Sequence, residues 1–278
     1  MNSNIAVRVD NVKMCYNMPT ERIDNIKEYI VKLLKRRLHY REFVALDGVS
    51  ITINKGETVG IVGLNGSGKS TLLKLVSGIL KPDRGTVEVN GVISPLIELG
   101  AGFDFELTTR ENIFLNGSVL GFTRKFMKEK YDDILDFAEL RPYEDVAIKN
   151  FSSGMVARLG FAIATLVKPD ILIVDEILAV GDALFQQKCE RRISEMMAGG
   201  TTVIIVSHAI EQIERLCNRV LWIDKGKQIM LGDTKTVCDE YKRLNEMGEG
   251  VNISEVIASK AEEVQKTNGN GKEGNDAT

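Results

Sequence analysis

The chain of 278 residues is short of several features that would define its class. It has four cysteines, Cys15, Cys189, Cys217 and Cys238, scattered without paired or metal-ligand spacing. That argues against a disulfide framework or a zinc site and points to a reducing compartment. No apolar run approaches the roughly 18 residues that a membrane-spanning helix needs. The opening MNSNIAVRVDNVKM alternates like a strand and lacks the apolar core of a signal peptide. From these absences we expect a cytoplasmic protein that reaches a membrane only through a partner that spans it. A large excess of one charge is also lacking: the formal net charge is −3, so no global argument favours nucleic acid. No segment repeats. What remains is an ordinary apolar fraction of 44%, in a length that suits one domain plus an appendage or two small domains.

Against that background, residues 59–71, VGIVGLNGSGKST, stand out. An apolar strand over 58–62 should run into the loop, and LLKLVSGIL after it has helical spacing. The pattern G-x-x-x-x-G-K-[ST] between a strand and a helix is a phosphate-binding loop. Gly63, Gly66 and Gly68 accept backbone geometries that bulkier residues resist. Successive N–H groups along Gly63, Leu64, Asn65, Gly66, Ser67 and Gly68 can then point inward as an anion nest. Lys69 is placed to reach β- and γ-phosphates, the Ser70 hydroxyl to coordinate Mg²⁺, and Thr71 to contact the α-phosphate.

A phosphate loop needs a second magnesium ligand and a group that handles the attacking water. Residues 169–176, PDILIVDE, offer a buried strand with two carboxylates at its end. Ligands gather at the carboxyl ends of strands in open α/β sheets. There Asp175 can hold Mg²⁺ through water, and Glu176 can act as general base. A third strand ends in His208, within TTVIIVSH at 201–208. A lone histidine is commonly structural, but at this strand end it can hydrogen-bond a γ-phosphate. In FSSGMVARLGFAIA, 151–164, a helix opens with three small residues. Two readings fit: a serine cap on free backbone N–H groups, or an anion site at a helix N-terminus.

The order GLNGSGKST, FSSGM, ILIVDE, AVGD, SH resembles that of the ATP-binding cassette (ABC) ATPases, over about residues 5–243. The resemblance implies an α/β fold: a P-loop NTPase (RecA-like) core with an antiparallel β subdomain and a helical subdomain. FSSGM stands where that family has its signature loop, LSGGQ, and departs from it at Phe151, Ser153 and Met155. In such proteins two cassettes pair head to tail around ATP. Ser152, Ser153 and Gly154 would then meet nucleotide held by the partner's phosphate loop, and Ser152 could still cap its helix. By the same resemblance Tyr16 would stack on adenine, the alternative being an ordinary edge-strand aromatic. Asp182 would lie at the dimer interface. The family's glutamine between subdomains has no obvious counterpart before TTREN, 108–112, and Glu98 is the nearest polar candidate for that Mg²⁺ contact.

LIELGAGF, SSGM and LAVGDALFQQKC are similar in wording to ATPases that export polysaccharides such as O-antigen and teichoic acid. That likeness implies Mg·ATP as ligand, a homodimer, a separate integral membrane permease, and a lipid-linked polysaccharide handled by that permease, with no nucleic acid. The protein would sit peripherally on the cytoplasmic face of the cell membrane. One alternative is an importer or small-molecule exporter ATPase, which differs only in cargo and partner; another is a soluble non-transport ABC ATPase, opposed by the single cassette and the lack of a long coiled-coil insertion. Organisation along the chain follows: a nucleotide-binding domain over 1–245, mainly β up to residue 100, with a helical subdomain over about 101–165. VLWID, Lys225-Gly226 and KQIML read as a hairpin. Residues 22–41, RIDNIKEYIVKLLKRRLHYR, read as a basic amphipathic helix, lying on lipid or a partner or simply packed on the core. The tail, 246–278, is expected to be largely disordered and too short for a carbohydrate-binding domain.

Overall fold

A computed structural model describes residues 4–19, 25, 40–96, 99–100, 102–175 and 182–246. Two sheets organise them. β1 (Ile5–Pro19), β2 (Tyr40–Asn54) and β4 (Arg84–Val89) form an antiparallel sheet in the order β2-β1-β4. The other sheet joins β5 (Ile93–Leu96), β6 (Ile171–Asp175), β7 (Thr202–Val206), β3 (Thr58–Val62), β8 (Arg219–Asp224) and β9 (Lys227–Asp233) in that order. Its strands are parallel except β9, which returns antiparallel beside β8.

The central strands have continuous apolar runs because both faces are covered. β3 and β7 are buried at every residue. Ile173 and Ile204 face one core, shared with Val7, Leu46 and Ile51 of the antiparallel sheet, Leu72 of the helix that follows β3, and Leu221 of β8. Their neighbours Val174 and Ile205 face a second core with Ile113, Leu135, Phe161, Phe185 and Trp222. The period of two along each strand thus binds two layers to one sheet.

Seven helices are described: α1 (Lys69–Val76), α2 (Thr109–Val119), α3 (Arg124–Ala138), α4 (Ser153–Ala164), α5 (Ala183–Ala198), α6 (Ile210–Leu216) and α7 (Thr234–Glu246). α2 opens on a capping box: the Thr108 hydroxyl accepts the Glu111 N–H, and the Glu111 carboxylate accepts the Thr108 N–H at 2.8 Å. The helices α2, α3 and α4 occupy the stretch expected to be helical. α4 presses closely on the segment before α2, since a Cβ on Gly160 would lie 2.8 Å from the Gly100 nitrogen.

The hairpin expected at Lys225-Gly226 forms between β8 and β9, with φ 47° and 80° at its two turn residues. Such left-handed pairs match the twist of the strands they join. The amphipathic segment needs a correction at its end. Tyr40 and Arg41 belong to β2, paired with Pro19 and Met18 of β1. The apolar spacing that suggested a helix stops at Leu38, and pairing across the β1–β2 ribbon takes the residues after it. Apart from Asn25, the rest of 22–39 lies outside the described residues, as does the tail beyond Glu246. No helix among the described residues is long and apolar enough to cross a membrane.

All four cysteines are free. Burial pushes the thiols of Cys189 and Cys217 up to about 12 and that of Cys238 up to about 11. These three are packing groups rather than nucleophiles at neutral pH.

Candidate active site

The phosphate loop leaves the buried strand β3 at Gly63 and enters α1 at Lys69. Its glycines are imposed by its own chain. At Gly63, φ is 149°, and a Cβ would stand 2.1 Å from the Ile223 carbonyl oxygen. At Gly68, φ is 111°, and a Cβ would stand 2.5 Å from the Ala45 carbonyl oxygen. Neither position has room for a side chain. Gly66 has open space around it and only its φ of 77° to satisfy. Lys69 is buried, and its ammonium donates to the carbonyls of Gly63 at 2.8 Å and Leu64 at 3.0 Å. The lysine therefore spans the mouth of the loop. Leu64, Asn65, Gly66 and Ser70 are exposed, and Thr71 is half-buried. The Ser67 hydroxyl is buried with no hydrogen-bond partner among the described residues.

Register carries the neighbouring groups to the same end of the sheet. Ile61 pairs with Val206, and Val206 pairs with Asp175. Two strand spacings, about 10 Å, therefore separate Asp175 from Ile61 near the end of β3. Asp175 is half-buried there. His208 follows β7 by two residues and is exposed. Its position is fixed by Ser207, whose hydroxyl accepts the Ala209 N–H at 3.1 Å and donates to Gln212 at 3.0 Å. Gln212 in turn reaches Glu190, which pairs with Arg215 at 3.0 Å. Glu176 and Glu98 lie outside the described residues.

The small residues at 152–154 have a different setting. Ser152 caps α4, its hydroxyl accepting the Met155 N–H at 3.2 Å. Ser152 and Ser153 are exposed and Gly154 is half-buried. Apart from its own helix backbone, a Cβ on Gly154 would meet only the Ser152 hydroxyl, at 3.8 Å. Packing among the described residues does not require glycine at that position.

A family model described as "ABC transporter" matches residues 46–179. The O-antigen export system ATP-binding protein RfbB of Klebsiella pneumoniae is 44% identical over 203 residues, which cover 73% of this chain and 82% of that protein. The chain belongs to the ABC transporter family. It is accordingly an ABC-type ATPase, with ATP as its ligand. The teichoic acids export ATP-binding protein TagH of Lactiplantibacillus plantarum is 40% identical over 245 residues, covering 88% of this chain and 66% of that protein. Among solved structures, the dimeric ATP-binding cassette MJ0796 in a post-hydrolysis state with ADP and Pi matches with a TM-score of 0.66. It is 22% identical, and the match covers 82% of this chain and 98% of that one. This likeness supports the ABC nucleotide-binding fold.

Within that ABC fold, Tyr16 lies in β1 opposite Phe43 of β2 and is half-buried. β1 is the middle strand, but its pairing with β4 ends at Lys13, so at Tyr16 the ribbon has one open edge. Phe43 stands two residues along β2 from Ala45, the residue whose carbonyl touches Gly68. Asp182 caps α5 by accepting the Phe185 N–H at 2.9 Å. The Phe185 N–H, together with Arg158 and the Leu184 N–H, holds its carboxyl below the usual carboxylate range.

Two supports of the ABC site escape a reading of the sequence. Gly226, at the β8–β9 turn, donates its N–H to the Ser67 carbonyl at 2.9 Å and accepts the Asp47 N–H at 2.8 Å. One turn thus ties the phosphate loop to β2. Ser207 is the other. A Ser–His pair after an apolar strand is its only local sign, because its partner Gln212 sits on the next helix.

Proposed function

We propose that the chain is the ATP-hydrolysing subunit of a bacterial exporter of lipid-linked polysaccharide, of O-antigen, teichoic acid or capsule type. The observation that carries this reading is the 44% identity to an O-antigen export ATP-binding protein over 82% of that relative's length. Two copies pair around two ATP molecules, and hydrolysis reopens them. The pair acts on a separate integral membrane permease, at the cytoplasmic face of the cell membrane. The nucleotide-binding domain spans residues 1–245.

The loop supports a Mg·ATP ligand. It has a cradle that a Cβ at Gly63 or Gly68 would fill, a buried hydroxyl on Ser67 awaiting a partner, and a lysine at its mouth. In this reading the nest from Gly63 to Gly68 and Lys69 grip the β- and γ-phosphates, and Thr71 contacts the α-phosphate. Ser70 and Asp175 would hold Mg²⁺, with Glu98 the candidate for a further contact. When bound, the ion neutralises phosphate charge as it develops in the transition state. Glu176 takes the proton of the attacking water, and His208 donates to the γ-phosphate. Tyr16 stacks on adenine. Ser152, Ser153 and Gly154, beside Asp182, complete the site held by the partner copy, with the positive end of α4 directed at the γ-phosphate.

A test is to tag Glu176→Gln, trap it with ATP in its native cells and identify what copurifies from solubilised membranes. The expected result is slow hydrolysis, stable pairing, one polytopic membrane protein, and loss of surface glycan when the gene is deleted. Rapid turnover by the variant would remove Glu176 as the base. Copurified ribosomes, DNA or only soluble proteins would move the function away from export.

A further inference from the structure

Arg158 lies six residues beyond Ser152 along α4, about 9 Å down the helix axis. Its side chain is only 17% exposed and bridges two carboxylates. Nη1 reaches Glu139 at 2.8 Å, and Nη2 reaches Asp182 at 2.6 Å. The guanidinium carbon stands 4.8 Å from the centre of the Phe185 ring. Glu139 closes α3 in a left-handed conformation, φ 59°, and Asp182 opens α5. One side chain therefore joins the end of one helix, the body of a second and the start of a third.

Other contacts already fasten this corner. Phe137, Phe161 and Phe185, one from each of the three helices, contact one another with ring centroids 5.8 to 6.4 Å apart. Lys188 ties α5 to the end of α3, donating to the Phe137 carbonyl at 2.7 Å and Glu139 at 3.3 Å. Packing and Lys188 thus hold α3, α4 and α5 together without Arg158. What Arg158 adds is a directional, charge-assisted link from α4 to the residue that opens α5. The two ends so linked are those that the proposed pairing turns toward the partner copy.

We propose that Arg158 is a positioning residue: through Asp182 it couples the Ser152–Gly154 end of α4 to the start of α5, so that both meet the partner copy as one surface. This rests on the reading that two chains pair around ATP. Arg158 touches no nucleotide. It sets how well two chains close, and leaves how well one chain holds ATP unaltered.

The test uses the full chain carrying Glu176→Gln, alone and with Arg158→Gln, Asp182→Asn, both together, or Glu139→Gln. Asn keeps the helix cap of Asp182 and removes only the charge. ATP affinity is measured at low protein concentration, and ATP-driven pairing by sedimentation velocity. Arg158→Gln and Asp182→Asn should each weaken pairing by about fivefold or more, the lower end of typical coupling between sites. Single-chain ATP affinity should stay within about twofold, well inside that range. The double variant should match the worse single, because both break one link. Glu139→Gln should have the smallest effect. Multiplying losses in the double variant, equal losses from Glu139→Gln, or unchanged pairing would overturn the coupling. A parent chain that stays single with saturating ATP would instead remove the pairing reading, and the inference with it.

Discussion

The two glycine-bearing loops of this protein are alike in composition and opposite in setting. In the phosphate loop, Gly63 and Gly68 are walled in by the backbone of β8 and β2, at 2.1 and 2.5 Å from a would-be Cβ. At the start of α4, a Cβ on Gly154 would meet, apart from its own helix backbone and among the described residues, one hydroxyl at 3.8 Å. The first loop has its shape enforced from within. The second is small although nothing among the described residues demands it, and the proposed pairing places that demand in the partner copy. A site split between two copies would produce that contrast.

Substitutions can break or sharpen it. Gly63→Ala should have the largest effect, destabilising the chain by about 2 kcal/mol or more and abolishing ATP binding, since it forces both a strained φ and a backbone clash. Thermal melting with and without ATP reads both. Lys69→Ala should remove ATP binding with a smaller loss of stability, and undiminished affinity would remove Lys69 from the site. Gly154→Ala should act the other way: stability unchanged or raised by about 0.5–1 kcal/mol from helix propensity, with ATP turnover sharply reduced. Wild-type turnover there would erase the contrast between the loops. The smallest effects separate two caps. Ser152→Ala and Thr108→Ala should each cost about 1 kcal/mol of stability, but only Ser152→Ala should slow hydrolysis. Equal activity in the two would leave Ser152 as a cap alone.

Local pattern is where the sequence was most informative. TVGIV, ILIVD and TVIIV are apolar apart from Thr58, Asp175 and Thr202, and they became buried central strands because both faces of the sheet are covered. The phosphate loop was legible because its glycines, lysine and serine answer to a geometry confined to a dozen residues. Ser152 was legible as a cap for the same reason. Pairing over long separations was not. Tyr40 and Arg41 carry no local sign that Pro19 and Met18 claim them for a ribbon. Gly226 looks like any hairpin turn until its N–H meets Ser67, far back in the chain. Arg158 carries no local sign of a partner, and only the fold reveals the two carboxylates converging on it from separate helices.

The strand order has a consequence in time. β3, which launches the phosphate loop, is made long before its sheet neighbours β7 and β8, the latter ending at Asp224. At ordinary rates of synthesis the interval is roughly 10–30 s. Through that delay the apolar segment TVGIV has no strand beside it, and Ser67 has no Gly226 to brace it. A nascent chain halted before the last hairpin would carry the entire nucleotide motif without the turn that braces its loop. The brace on the ATP loop is therefore completed only after β8 and its turn have been made.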